Sequence, residues 1–245
     1  MTTPNRLDPT SPVPLYYQLK EILRDAIAAG TWKPGELVPS EHQLQDEYQV
    51  SRNTAKKAIE ELVQEGILTR VQGKGTFVAA PKLEQALTGF YSFSNAMRSR
   101  GIVPSAKVIG LKEAPAKASV AKALAIAPGD RVTELTRVRY ADDEPIILET
   151  SYIPVALAPG LAEKNFEESA LYSVLAVDYG LLVVKAKEIF EPVLIRDYES
   201  RWLQVQAGYP ALLLDRVAYT AEGKPVEFCR SIVRGDRCRF YTELL

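Results

Sequence analysis

Cysteine, histidine, methionine and tryptophan are scarce in this chain, at two, one, two and two among 245 residues. Cys229 and Cys238 lie near the C-terminal end without metal-binding spacing, and the one histidine, His42, is far from both. A Cys/His metal centre is therefore excluded, and the thiols read as reduced, half-buried groups of an intracellular protein. Neither a G-x-S-x-G nucleophile turn nor a phosphate-cradling G-x-x-x-x-G-K-[ST] loop occurs. Apolar runs fall short of the ~20 residues that cross a bilayer. The start, MTTPNRLDPTSP, is polar and proline-rich, unlike a secretory leader. The expectation is a soluble, cytoplasmic protein with no metal, no cofactor and no membrane partner. An excess of charge of one sign is missing as well: 30 Lys and Arg stand against 31 Asp and Glu overall, and nine against ten within residues 1–80. Any nucleic-acid binding has to come from local placement of charge rather than from its sum.

What is there begins with Ser51–Glu65, SRNTAKKAIEELVQE. At helical spacing Ala55, Ala58, Ile59, Leu62 and Val63 form one apolar stripe, and Ser51 can cap the first turn. Arg52, Asn53, Lys56 and Lys57 crowd the first two turns, whereas Glu60, Glu61 and Glu65 occupy the second half. A charged face is most often merely solvated; one that is cationic at its start and anionic at its end also suits entry into a phosphate-lined groove by its N-terminal half. Upstream, residues 1–11 read as a disordered arm, and Leu15, Leu19, Ile22, Leu23, Ala26 and Ile27 mark a helix between Pro14 and Gly30. Ser40-Glu41-His42-Gln43 is a capping-box pattern opening a short helix. Two short helices joined by Val50-Ser51 read as a helix-turn-helix. After Gly66 the period changes to two, with strands expected at 67–71 and 76–78 around Gln72-Gly73-Lys74-Gly75. Such a hairpin is either an ordinary turn or, behind a recognition helix, a wing with Lys74 at its tip.

The stretch PSEHQLQDEYQVSRNTAKKAIEELVQEGILTRVQGKGTFV resembles the winged helix-turn-helix of the GntR family of bacterial transcription regulators, over nearly all of residues 14–78. The resemblance implies that the recognition helix reads the major groove from Arg52, Asn53, Thr54 and Lys56, and that Gly73 lets the wing tip enter the minor groove. With the caps and the hairpin loop, the expected DNA-facing set is Ser40, His42, Ser51, Arg52, Asn53, Thr54, Lys56, Gln72, Gly73 and Lys74. His42 and Lys56 stand where the family commonly has Arg. Arg makes a bidentate contact to guanine that neutral His does not and Lys makes less well, so operator preference does not carry over.

Pro81 and Gly89 break the pattern, and residues 79–89 read as a linker between domains 1–78 and 90–245. Beyond it come a helical stretch 93–100, a strand-like run 106–112, a short helix 117–124 and an antiparallel hairpin from Arg131 to Ile153. This hairpin recurs: RVRYADDEPIILETSYI (137–153) can be laid on RVAYTAEGKPVEFCRSI (216–232), with helical material near 170–177 and 197–206 between and beside them. Two related hairpins imply two halves of one antiparallel sheet in an α+β domain, with a ligand cleft between the halves. The region from about 85 to 243 resembles the UTRA ligand-sensing domain of the HutC subfamily, SYIP at 151–154 and RGDR at 234–237 being its most recognisable pieces. The resemblance implies a chorismate lyase-like fold behind the winged helix.

Arg137 and Arg139 alternate onto one face of a strand, Arg137 opposite Glu149 and Arg139 opposite Ile147. Spacing alone allows two readings, a solvent-exposed ion-pair ladder or a guanidinium clamp for phosphate. The UTRA resemblance implies the clamp, because sugar-phosphate-sensing members place an Arg-x-Arg pair there. It implies effector contacts at Ser92, Arg137, Arg139, Glu149, Tyr172 and Glu227. The chain departs at Ala170, where a Ser hydroxyl would help the phosphate, and at Val233, where those members tend to carry Tyr. Other members sense urocanate or unrelated small acids, and the likeness to chorismate lyase leaves a lyase-like enzyme as the rival class. The expectation is a non-enzymatic regulator, a repressor that binds a double-stranded DNA operator as a homodimer and is retuned by a small anionic effector such as a sugar phosphate. One winged helix reads only a few base pairs, so two half-sites are needed. Without a coiled coil, the second domain has to supply the dimer contact.

Overall fold

The structure is a computed structural model that describes residues 7–71, 73–87 and 97–243. By contact density the chain forms two compact units, Met1–Leu83 with Gly235–Arg237, and Glu84–Arg234 with Cys238–Leu245.

The first unit holds three helices and a hairpin. Helix α1 (Leu15–Ala28) starts after Pro14, whose missing N–H costs nothing at a helix entry. Helix α2 (Glu41–Tyr48) opens on the expected capping box, in which Gln43 N donates to Ser40 Oγ (3.3 Å) and Ser40 N donates to Gln43 Oε1 (2.8 Å). It ends at Gln49 in the left-handed region (φ 54°), which turns the chain sharply into helix α3 (Arg52–Gln64). Strands β1 (Leu68–Val71) and β2 (Gly75–Val78) pair antiparallel, Leu68 opposite Val78. Leu19, Leu23, Leu44, Ala55, Ile59 and Leu62 form the core beneath them. At Gly75 φ is 122°, and a Cβ there would lie 2.6 Å from Leu37 Cδ1. The Leu37 side chain is exposed and can give way, so it is the positive φ, rarely adopted by L side chains, that favours glycine beside the bridge from Leu37 to Phe77.

Within the stretch expected as linker, Leu83–Ala86 form strand β3, which pairs with β10 (Cys238–Tyr241). The chain just before it is held by the Gly235–Arg237 turn: Lys82 Nζ donates to Gly235 O (2.8 Å) and Arg237 Nη1 to Ala80 O (2.9 Å).

The second unit is built on a six-stranded antiparallel sheet. Its strands are β4 (Pro104–Pro115), β5 (Arg131–Ala141), β6 (Glu144–Pro154), β7 (Lys185–Leu194), β8 (Pro210–Tyr219) and β9 (Pro225–Arg234), in the order β4-β5-β6-β9-β8-β7. The order reads the same from either end if β4, β5 and β6 are matched with β7, β8 and β9, which is the sequence repeat made visible. Helices α4 (Ala118–Leu124) and α6 (Asp197–Leu203) cover one face through Val132, Phe228, Val138 and Leu148. Helix α5 (Leu171–Tyr179) covers part of the other through Leu135 and Ile153. The fold is α+β as expected, but the cleft between halves is not. β6 and β9 hydrogen-bond directly, Glu149 opposite Ser231, so the repeats share one continuous sheet and backbone pairing leaves no gap between them. Of the helix expected over 93–100, residues 93–96 lie outside the described residues; Met97 and Arg98 are helical.

Candidate nucleic-acid interface and effector face

The first site is the surface made by α2, the N-terminal half of α3 and the β1–β2 hairpin. Ser51 caps α3, accepting from Thr54 N (3.2 Å), with the two hydroxyl oxygens 2.9 Å apart. Ala55, Ala58, Ile59 and Leu62 are buried, which fixes the helix's rotation and turns Arg52, Asn53, Lys56 and Lys57 outward. The charge gradient along α3 now has a cause. Its acidic end is tied to α1: Lys20 Nζ donates to Glu61 Oε2 (2.9 Å) and Glu65 Oε1 (3.2 Å), and Arg24 Nη2 to Glu65 Oε2 (2.5 Å). Burial lowers the Lys20 pKa, but bonds to Glu61 and Glu65 outweigh it and hold the ammonium above its ordinary value.

The cations at the start of α3 differ in how far they are committed. Lys57 lies 3.8 Å from the centroid of the Tyr16 ring, a cation–π contact with α1. Lys56 Nζ is 3.6 Å from Glu60 one turn on. Arg52 is exposed and forms no ion pair among the described residues, as is true of Lys74 at the hairpin tip, whose N–H donates to Val71 O (3.0 Å). The hairpin is fastened to α2 by Arg70 Nη2 donating to Glu41 Oε1 (2.8 Å). A concave groove results, lined by Ser40, His42, Arg52, Arg70, Gly73 and Lys74 among others. His42 points into water with its side chain 83% exposed and Nδ1 3.0 Å from Asp46 Oδ2. Of the expected set, Ser40, His42, Arg52, Gly73 and Lys74 line this groove, and Ser51, Asn53, Thr54 and Lys56 lie at the cap and first turns of α3 beside Arg52; Gln72 lies outside the described residues. Arg70 was missed, although its position in an alternating strand opposite Thr76 was readable.

The second site lies on the face of the sheet that carries α5, around the buried Arg137, Glu149 and Glu227. Residues directly opposite on neighbouring antiparallel strands share a face. One row across the sheet is Arg137, Glu149, Ser231 and Leu214; the next is Leu135, Ser151, Cys229, Arg216 and Glu188. Arg139 stands beside Arg137 on the same face, opposite Ile147 as expected. Arg137 Nη2 donates to Glu149 Oε1 at 2.6 Å, and Arg139 Nη1 donates to the same oxygen at 3.2 Å. Two guanidiniums therefore share one carboxylate oxygen. Burial alone would push the Glu149 carboxyl up, but the Arg137 and Arg139 charges outweigh it and hold it below the usual carboxylate range. Burial pulls Arg139 below the ordinary guanidinium value, against the opposing pull of Glu149. Arg137 is buried, and its Nε has no hydrogen-bond partner among the described residues.

Tyr172, in the first turn of α5, donates its hydroxyl to Glu227 Oε2 at 2.5 Å. Burial, and then the Glu227 charge, raise the phenol well above its ordinary pKa. Arg216 joins this group. It is the repeat's counterpart of Arg137, but Cys229 stands where the first hairpin has Glu149, and Arg216 turns to the outer strand instead, Nε donating to Glu188 Oε1 at 2.6 Å. Burial, with Glu149 and Glu227 nearby, pushes the Cys229 thiol up to about 12, so it stays protonated. The expected Arg137, Arg139, Glu149, Tyr172 and Glu227 are brought to one face; Ser92 lies outside the described residues. Arg216 and Glu188 were missed, and the signal for Arg216 was the repeat itself. Ala170 is the N-cap of α5 and has no capping side-chain bond, and Val233 is buried beside Ile147, so neither supplies the hydroxyl that a Ser or Tyr would.

Comparison with known proteins follows the same division. Residues 15–78 match the bacterial regulatory proteins of the gntR family, and residues 99–239 match the UTRA domain. The HTH-type transcriptional repressor NagR of Bacillus subtilis (strain 168) is 37% identical over 230 residues, 94% of each chain. A probable fructoselysine utilization operon transcriptional repressor of Escherichia coli (strain K12) is 34% identical over 223 residues, 91% of each. The crystal structure of PhnF from Mycobacterium smegmatis, 29% identical, superposes with a TM-score of 0.65 over 92% of this chain and 98% of that one.

Proposed function

Because the chain belongs to the GntR family of bacterial regulatory proteins, as a UTRA-bearing member, we propose that it represses transcription through a homodimer whose winged helices read two operator half-sites, and that a small sugar-derived phosphate relieves the repression. Two relatives of matching length, NagR and the probable fructoselysine utilization operon repressor, carry the name of transcriptional repressor. Arg52, Asn53 and Lys56 reach base edges, Lys74 and Arg70 serve the phosphates beside the wing, and the Ser40 and Ser51 caps shape helix N-termini that favour phosphate.

The observation that carries the choice of effector is the pair Arg137 and Arg139 converging on a single Glu149 oxygen. One carboxylate leaves the pair with a net positive charge inside a buried face. A phosphate is opposite in sign to that charge and accepts from several guanidinium N–H groups at once. The name of the fructoselysine repressor supports a sugar-derived skeleton, with Glu227 and Tyr172 as partners for its hydroxyl or amino groups. The ligand shifts the protein only as far as it binds one arrangement better than another.

The test starts from an operator selected by the protein from random duplex DNA. Release from that operator is then titrated with sugar phosphates and with the unphosphorylated sugars. Arg139→Gln leaves the shorter Arg137–Glu149 bond in place, so it should bind operator normally and need about tenfold or more phosphorylated ligand for release. Equal response of the variant and the parent, or release by unphosphorylated sugars alone, refutes the phosphate assignment.

A further inference from the structure

The groove of the first unit has walls of opposite hydrogen-bonding character. Donors stand on one side: Arg52 at the start of α3, Arg70 on β1 and Lys74 at the hairpin tip, all exposed. The other side is α2, whose groove-lining side chains are Glu41, His42, Gln43 and Gln45. Two of these are already committed. Glu41 Oε1 accepts from Arg70 Nη2 (2.8 Å), and Gln43 Oε1 accepts from Ser40 N (2.8 Å) in the capping box. His42 differs, with its side chain almost wholly in solvent and its Nδ1 3.0 Å from Asp46 Oδ2, one turn further along α2. A carboxylate at that distance favours the tautomer that carries its proton on Nδ1, where the proton meets a negative charge. Nε2, on the other side of the ring, is then left as an acceptor. The wall made by α2 thus offers acceptors where the family commonly has the donors of an arginine.

We propose that His42 is a specificity-determining residue whose Nε2 accepts from the N4 amine of a cytosine in the operator half-site; this rests on the operator-binding reading above and specifies one base of it. A phosphate does not suit this wall, because the Glu41 and Asp46 carboxylates repel it. A base edge that donates does. In the major groove the exocyclic amines are cytosine N4 and adenine N6. Adenine carries the acceptor N7 beside its amine, which an acceptor wall leaves unpaired, whereas cytosine presents the donor alone. Arginine at this position would reverse the choice, since a guanidinium only donates and meets guanine O6 and N7. Asp46 is the positioning residue, acting through the imidazole tautomer. The charged groups around the ring are Asp46 and Glu41 on α2, Arg52 on α3, Arg70 on β1 and Lys74 at the hairpin tip. Protonation adds a cation and removes the acceptor, so the preference for cytosine belongs to the neutral ring.

The experiment selects duplexes from a random DNA pool with the full chain at about pH 8, where imidazoles are neutral. His42→Ala, His42→Arg and Asp46→Asn are carried through the same selection; all three replace exposed side chains, so the fold stays intact. The parent should enrich a half-site position that is cytosine on one strand. His42→Ala should accept any base there, and His42→Arg should select guanine at the same place. Replacing that cytosine should cost the parent about fivefold in affinity, and His42→Ala nothing. Asp46→Asn should weaken the preference without loss of overall affinity, since it removes a negative charge from the groove. At about pH 5, where imidazoles are cationic, the parent's preference should vanish while the base profile of His42→Ala stays as it was. A parent that enriches no sequence overturns the operator-binding reading and this proposal with it. A parent that enriches a sequence overturns the His42 assignment alone if every variant selects the same bases, or if the His42-dependent position is adenine, guanine or thymine.

Discussion

The two units use arginine in opposite ways. In the first, Arg52 stands exposed on a helix whose rotation is set by Ala55, Ala58, Ile59 and Leu62, and no carboxylate among the described residues holds it. In the second, Arg137 is 4% exposed and bonded to Glu149, with Arg139 on the same oxygen. An exposed cation keeps its hydration until a polyanion arrives, costs the fold nothing, and loses strength as salt rises. A buried cation has already lost its water, so it has to carry a counter-charge in the empty protein and keeps its strength in salt. One arrangement suits a long, uniformly charged partner met in solvent. The other suits a small anion admitted singly. Near-neutral composition is compatible with both, because Glu61 and Glu65 are placed where they hold α1 to α3 and Glu149 where it meets Arg137, while Arg52 and Lys74 are exposed and form no ion pair among the described residues.

The largest expected effect breaks the comparison on its buried side. Arg137→Ala leaves Glu149 buried with only the longer bond from Arg139. Removing one partner of a buried pair costs about 3–5 kcal/mol, to be measured as the loss of unfolding free energy in urea for the second unit. Arg52→Ala removes a charge of the same sign and should leave that free energy unchanged. Acid probes the same pair. The folded pKa of Glu149 lies below its unfolded value, so its contribution is present above the unfolded carboxylate range and is lost as pH falls through the folded pKa. The parent should therefore lose stability on acidification more steeply than the Arg137→Ala variant. A variant as stable as the parent would mean that the pair is solvated and that the contrast between the units is false.

The next effect lies on the exposed side. Arg52→Ala should cost about 1–3 kcal/mol of operator binding per half-site and relax base preference there, as read by footprinting and by competition with mismatched duplexes. Dimer mass and response to sugar phosphates should not change. A footprint identical to that of the parent would remove the start of α3 from the interface.

How much of this was readable without coordinates differed between the units for a physical reason. The caps at Ser40 and Ser51, the apolar stripe of α3 and the glycine-bearing hairpin are local signals, set by neighbours three or four residues apart, and each reappears in the structure within a residue or two. Pairing of Arg137 with Glu149 was local too, since a hairpin fixes its own register. What was not local was missed or misread. The repeat announced two hairpins but not that β6 and β9 would bond to each other, so a cleft was expected where the sheet is continuous. Strand β7 has a sequence, KAKEIFEPVL, whose alternation is blurred by Pro192 and whose pairing with β8 spans loops and a helix. Arg216 was visible as the counterpart of Arg137, yet its partner Glu188 comes from that unforeseen strand, so its place beside Tyr172 and Glu227 could not be inferred.

The smallest effect sharpens the comparison most, because it reads hydration directly. Lys74 is exposed at the wing tip and forms no ion pair among the described residues, so what it adds to binding is the release of counterions from a phosphate. Lys74→Ala should lower affinity modestly and uniformly across operator variants, and should reduce the slope of log K against log salt by about one. The buried pair supplies the contrast within the same molecule. Affinity for a sugar phosphate, measured by calorimetry over the same salt range, should change far less, because a ligand held by the buried Arg137 and Arg139 would sit where mobile ions do not follow. If the Lys74→Ala slope equals the parent's, the wing does not touch phosphate. If effector binding falls with salt as steeply as operator binding, the guanidiniums of the second unit are as wet as the lysine of the first, and the two sites work by one electrostatic rule instead of two.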